Sequence, residues 1–315
     1  MKHRRWFPAL FLCAAIGAVS ASTLPHVSSG RLVRHNDVPA HGVPERTIDV
    51  WLPSTYDGKR QHDVLIMHDG DMLFDARLTW NNQEWQVDEV AGQLIDAGHV
   101  RPFIVVAVPN AGAARHAEYF PQQPFMSLTV DTQQALYDVQ RDENVPLFAQ
   151  PVYSDAYATY LVKDVLPYIE QHYAVNTAPS SRILAGSSMG GLISWYTLTR
   201  YPDSFGGAIC MSTHWPGAMQ PQHPAFDAFY TYLQAHLPTL KDKRLYFDYG
   251  DETIDAWYPP LQQRIDNLLQ ANDIPATQWT SRYFAGANHS EQAWAARLDV
   301  PLRWMFASAE ASATR

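Results

Sequence analysis

The stretch AGSSMGGLISW, residues 185–195, constrains this chain more than any other. It reads G-x-S-x-G across Gly186, Ser187, Ser188, Met189 and Gly190. The apolar run Arg182–Ala185 precedes it and the helix-like run Met189–Arg200 follows. A strand that feeds a helix through so few residues must turn sharply. Glycines at 186 and 190 leave room for the backbone to bend around Ser188. The serine then stands at the start of a helix, clear of the sheet. Unpaired N–H groups and the positive end of the helix dipole there favour a developing negative charge. Ser188 is therefore the candidate nucleophile.

A serine hydroxyl is a weak nucleophile at neutral pH. It needs a base within hydrogen-bond reach, and the base needs an acid to orient it. With this elbow the chain order is Ser, acid, His. The histidines after Ser188 are His214, His223, His236 and His289. His289 sits in FAGANHSEQAW, between the last strand and the last helix, and is the candidate base. His214, in MSTHW, follows a strand and is expected to line the pocket. His223 and His236 fall in a loop and a helical segment.

The acid is expected after the strand LYFDYG, where Asp251, Glu252 and Asp255 are available. Asp248 lies within that strand. Counting forward from Gly250 favours Glu252, whereas counting back from the helix opening at Pro259–Pro260 favours Asp255. Asp255 is taken as the acid and Glu252 as its alternative. Two backbone N–H groups should form an oxyanion hole. One is Met189, and the other is Asp71 or Met72 in the loop LIMHDGDMLFD. Met72, Trp80, Trp85, His214, Trp215 and Trp257 are candidates for the pocket wall.

β-Branched apolar runs alternate with longer helical patterns from about residue 45 onward. Strands are expected at Arg46–Leu52, Val64–His68, Ile104–Val108, Arg182–Ala185, Ala208–Met211, Leu245–Tyr249 and Trp279–Phe284. Helices are expected at Asn82–Ala97, Asp155–His172, Met189–Arg200, Pro260–Ala271 and Glu291–Met305. Such alternation means crossover connections and a mainly parallel sheet covered on both faces, an α/β fold. Runs near Arg31–Val33 and Arg46–Leu52 follow each other without a helix and suit an antiparallel edge. Residues 111–154 are the least regular region and read as an insertion.

Hydrophobic residues make up 46% of the 315-residue chain, enough for a sizeable core. The formal net charge of −9 argues against nucleic acid and anionic membrane surfaces as partners. The first residues read as a secretory signal peptide, 1–21. Lys2, Arg4 and Arg5 form its basic end, an apolar run follows, and Val19 and Ala21 fit a cleavage site. That run is shorter than the ~20 residues a membrane span needs, so export is expected rather than stable membrane insertion. Residues 22–315 are read as one domain. Of the two cysteines, Cys13 falls in the signal segment. Cys210 is expected to be buried, with no internal disulfide. No cysteine or histidine pattern has metal-ligand spacing, so no metal is expected.

Five landmarks now stand together: DVWLPSTY, VLIMHDGDMLFD, GSSMGGLISWYTLTRYPDSFGGAICMS, LYFDYGDETIDAWY and GANHSEQAWAARLDVPLRWMF. They resemble the putative-esterase family of α/β-hydrolases across roughly residues 45 to 306. That family includes feruloyl and acetyl xylan esterases, enterochelin-type esterases, S-formylglutathione hydrolase and the mycolyltransferases. The resemblance implies an α/β-hydrolase sheet without a large cap. It implies hydrolysis of carboxylic esters or thioesters through an acyl-enzyme, without a cofactor. The substrate would be a small-molecule or polysaccharide ester met outside the cytoplasm. One departure concerns the acid loop, where Thr253 stands in place of the Asp of a Gly-Thr-x-Asp pattern. An acyltransferase on the same fold, or a non-catalytic binding protein, are the alternative readings. Fold and triad do not set the acyl group, the alcohol or the oligomeric state.

Overall fold

A computed structural model describes residues 23–307. The expected signal segment, with Cys13, Val19 and Ala21, lies outside the described residues. Ten strands follow in chain order: β1 Arg31–His35, β2 Ile48–Leu52, β3 Asp63–His68, β4 Phe103–Val108, β5 Gln140–Asp142, β6 Val145–Pro146, β7 Arg182–Ser187, β8 Gly207–Met211, β9 Arg244–Tyr249 and β10 Trp279–Tyr283. Eight of them form one sheet in the order β1-β2-β4-β3-β7-β8-β9-β10. β1, β2 and β4 pair antiparallel, and every later neighbour pairs parallel. This is the mainly parallel α/β-hydrolase sheet with an antiparallel edge. β5 and β6 form a separate small hairpin.

The central strands are apolar along their whole length because both faces are covered. β3, β4 and β8 are buried at every residue. One core, on one face, includes Trp195, Trp215, Phe120, Tyr157 and Tyr160. The other includes Trp51, Phe103, Trp294, Met305 and Phe306. Cys210 is buried on β8, as expected. Among the described residues, no helix is long and apolar enough to cross a membrane.

Several helices depart from the sequence pattern, each for a local reason. The helix expected from Asn82 begins at Val87. Asn82 and Gln86 are left-handed, and Trp85 and Val87 donate N–H groups to Met72 and Leu73. The run Asp155–His172 is helical but widens to a π turn at Leu161–Val165. Pro167 follows, and proline cannot donate the N–H that would close a regular turn. The last helix divides into Glu291–Ala295 and Asp299–Met305, with Pro301 in the second piece. Pro224–His236 forms a helix outside the expected set, opened by Pro224 and capped by His223.

The insertion near 111–154 is more regular than its sequence suggests. It folds into short helices at Arg115–Tyr119, Gln122–Ser127 and Val130–Tyr137, then the β5–β6 hairpin. It is fastened to the sheet by a buried ion pair. Arg46 grips both Glu118 oxygens, at 3.0 Å and 2.6 Å, and the two side chains are 5% and 0% exposed. Glu118 also accepts from the Ala111 N–H and the Tyr153 hydroxyl. Removing one partner of such a pair strands the other charge in the core. Arg46→Met is expected to lower unfolding free energy by about 3–5 kcal/mol. Urea unfolding of the variant checks this, and a loss within about 0.5 kcal/mol would sink the claim that the pair fastens the insertion.

Candidate functional site

The elbow lies between β7 and the helix Met189–Arg200, with Ser188 as the residue between them. Ser188 has φ 57° and ψ −121°, a strained conformation for a residue with a side chain. Its surroundings over-determine it. The Ser188 N–H donates to Met211, and its carbonyl accepts from Gly191, Leu192 and His214. A Cβ on Gly186 would lie 2.7 Å from the Gly190 carbonyl carbon, so the turn closes only with glycine at 186. The Met189 N–H has no backbone acceptor among the described residues.

His289 and Asp255 come together from loops 34 positions apart, His289 Nδ1 lying 2.6 Å from Asp255 Oδ1. A carboxylate only accepts, so Nδ1 carries a proton, and in the neutral ring Nε2 is the nitrogen left to accept. Asp255 is fully buried. Its Oδ2 accepts from the Ser212 hydroxyl at 2.6 Å and the Gly250 N–H at 2.8 Å. Burial pushes the Asp255 carboxyl up, but the bonds to His289, Ser212 and Gly250 outweigh it and hold it below the usual carboxylate value. Glu252 does not meet His289. It is exposed, and its N–H donates to the Ala287 carbonyl.

Four residues that hold this pair were not marked by the sequence pattern. Ser212, at φ 41°, accepts from Trp294 Nε1 at 3.0 Å and Arg297 Nη2 at 2.9 Å while donating to Asp255. Arg297 also reaches Asp248 at 3.1 Å, which gives the strand carboxylate a partner. Thr253, the residue that departs from the family pattern, is left-handed at φ 57°. Its hydroxyl accepts from the His289 N–H at 3.0 Å, tying the acid loop to the His289 loop. A hydroxyl donor or acceptor in a loop carries no periodicity, so these roles emerge only when the loops meet.

Ser188 and His289 share a cleft of about 790 Å³ with Asp69, Asp71, Met72, Trp80, Trp85, Arg115, Arg141 and Trp294 among its walls. Of the expected pocket residues, Met72, Trp80 and Trp85 therefore line it. Trp80 is 83% exposed at its rim. Trp215 is instead fully buried, stacked on Trp195. Trp257 lines a different cavity beside Pro224 and Arg264. Of the two further oxyanion candidates, the Met72 N–H is donated to the Asp69 carbonyl at 2.9 Å. That bond closes the turn Asp69–Met72 and removes Met72 from the role in this structure. The Asp71 N–H makes no such backbone bond to another element among the described residues.

His214 is buried behind the elbow rather than lining the cleft. Its Nε2, 3.1 Å from the Ala218 carbonyl, must donate, so Nδ1 accepts the Tyr258 hydroxyl proton at 2.9 Å. The Ser188 side chain is among the groups acting on Tyr258. Burial pulls His68 down to about 3, and burial together with His289 does the same to His214. An unfolded imidazole titrates near 6.5. Above that value both states are neutral. As pH falls from 6.5 toward 3, the unfolded chain binds protons that the folded chain refuses. Stability therefore falls by up to ~1.4 kcal/mol per pH unit for each imidazole. Urea midpoints at pH 7 and pH 5 should separate widely for the parent and less for His214→Asn; an equal separation would contradict a neutral buried His214.

The sequence family described as Putative esterase matches residues 44–305. Among curated proteins, the uncharacterized protein YbbA of Bacillus subtilis is 35% identical over 69 residues, 21% of this chain and 28% of that protein. The chain thus spans less than a third of that relative's length. The enterobactin esterase of Shigella flexneri superposes with a TM-score of 0.61 at 15% identity, covering 89% of this chain and 60% of that one. The ferulic acid esterase of Anaeromyces mucronatus superposes with a TM-score of 0.56 at 17% identity, covering 90% and 92%. At these identities the two structures share a fold with this chain.

Proposed function

The chain belongs to the Putative esterase family, and on that premise we propose that it is an exported serine esterase acting through an acyl-enzyme. The observation that carries this reading is the buried Asp255–His289 bond of 2.6 Å opening onto the cleft that holds the strained Ser188. Ser188 attacks the ester carbonyl, and His289 Nε2 takes its proton and returns it to the leaving alcohol. Asp255 keeps the imidazole in the tautomer that leaves Nε2 basic and stabilises the imidazolium. The N–H groups of Met189 and Asp71 hold the tetrahedral oxyanion. Water then attacks the acyl-enzyme, with His289 again as base. An acyltransferase would use the same steps with an alcohol in place of water.

A panel of esters tests the reading: p-nitrophenyl acetate, butyrate and octanoate, methyl ferulate, acetylated xylan and a catecholate siderophore ester. The parent should show a burst of product, and Ser188→Ala should show none. Asp255→Asn should lower kcat by roughly three to four orders of magnitude. Glu252→Gln should leave it within about twofold, since an exposed carboxylate away from His289 contributes little. Equal turnover by the parent and Ser188→Ala, or no turnover of any ester, would move the reading to a binding protein.

Export is part of the proposal and rests on the basic, apolar and small-residue order of residues 1–21. Expressed in a bacterium, the chain should be recovered outside the cytoplasm with Ser22 as its first residue. Intact mass of the recovered protein checks this, and a cytoplasmic chain still carrying Met1 would remove export from the reading.

A further inference from the structure

The insertion brings two guanidinium groups to the reaction cleft. Arg115, on the helix Arg115–Tyr119, and Arg141, on β5, both stand in the wall of the cavity that holds Ser188 and His289. They feel each other: burial and then Arg115 pull Arg141 below the ordinary arginine value. Between them they have one carboxylate. Asp69 accepts from Arg115 Nε at 2.6 Å and Nη2 at 2.7 Å, and from Asn110 at 2.7 Å. That arrangement neutralises Arg115.

The Arg141 side chain has no hydrogen bond or ion pair among the described residues. The cleft's other acids do not serve it. Glu291 accepts from the Asn81 amide at 2.7 Å and acts on Arg115. The Asp71 carboxyl is held up by burial and then by Asp69. Neither is among the charges acting on Arg141. Arg141, exposed on β5, therefore presents an unpartnered guanidinium to the cleft that holds Ser188, in a wall that also carries Asp69, Asp71 and Glu291. A guanidinium presents a planar fork of N–H donors that fits a carboxylate with two parallel bonds.

We propose that Arg141 receives a carboxylate carried by the ester substrate, so that the preferred substrates are anionic esters rather than neutral ones. The proposal rests on the serine-esterase reading of the same cleft. It also gives the insertion a role, because the ion-paired base of that segment holds a hairpin whose one unpaired cation reads the substrate. The carboxylate sits either on the acyl group or on the alcohol, and the two placements are separable by substrate.

Three esters make the test: p-nitrophenyl butyrate, p-nitrophenyl hemiglutarate with its charge on the acyl side, and para-carboxyphenyl butyrate with its charge on the alcohol side. For each, kcat/KM is measured with the parent, Arg141→Ala, Arg141→Lys and Arg141→Glu. One of the charged esters should lose at least tenfold more than p-nitrophenyl butyrate in Arg141→Ala. The loss should be partly restored in Arg141→Lys and deepened in Arg141→Glu. Which charged ester shows it names the side that carries the carboxylate. Equal losses on all three esters overturn the proposal. If the parent turns over none of them, the esterase reading fails separately. Calorimetric binding of glutarate then decides the proposal: binding lost in Arg141→Ala upholds carboxylate recognition, and no binding by the parent overturns it.

Discussion

The site depends on one buried carboxylate. Asp255 is fully enclosed, and a charge in that position persists only when its lone pairs are filled by good donors. His289, Ser212 and Gly250 supply them. Meeting that demand fixes much of the chain's last third. Gly250 comes so close to Ala287 that a Cβ would lie 2.0 Å from its carbonyl oxygen, which presses the acid loop onto the His289 loop. Arg297 and Trp294 reach in from the final helices to hold Ser212, so those helices are part of the support for the acid.

Strain collects around the same place. Ser188, Ser212 and Thr253 all have positive φ although none is glycine. Each sits just past the end of a strand: β7, β8 and β9 in turn. Parallel neighbours in a sheet bring their carboxyl ends to one edge, and sharp exits there place side chains toward a common point. The bonds to Met211, Asp248 and His289 that hold these turns are the counterweight to their strain.

The opposite wall of the cleft is organised by ion pairs. Arg46–Glu118 and Arg115–Asp69 anchor the two ends of the helix Arg115–Tyr119, one against the sheet edge and one beside the elbow. The hairpin that follows leaves Arg141 unpaired in the same wall. Paired cations in this segment hold the wall, and Arg141 stands in the same wall without a carboxylate partner.

Local signals made much of this molecule legible from its residues alone. The elbow was readable because G-x-S-x-G between an apolar run and a helical run is a short-range steric requirement. The central strands were readable because burial on both faces demands continuous apolar runs, as in VLIMH and FIVVAV. Position relative to the last strand and helix singled out His289, and the spacings from Gly250 and to Pro259 narrowed the acid to Glu252 or Asp255. The sequence by itself thus determined the sheet, the elbow at Ser188 and a short set of candidate partners. Tertiary structure alone chose between Asp255 and Glu252, withdrew the Met72 N–H into the turn it closes on Asp69, and folded the 111–154 segment into helices around Glu118. It also recruited Ser212, Thr253, Arg297 and Arg141. The physical reason is that these roles are long-range: a hydrogen bond or an unpaired charge between residues tens of positions apart leaves no periodic trace in either stretch, and exists only once the loops are brought together.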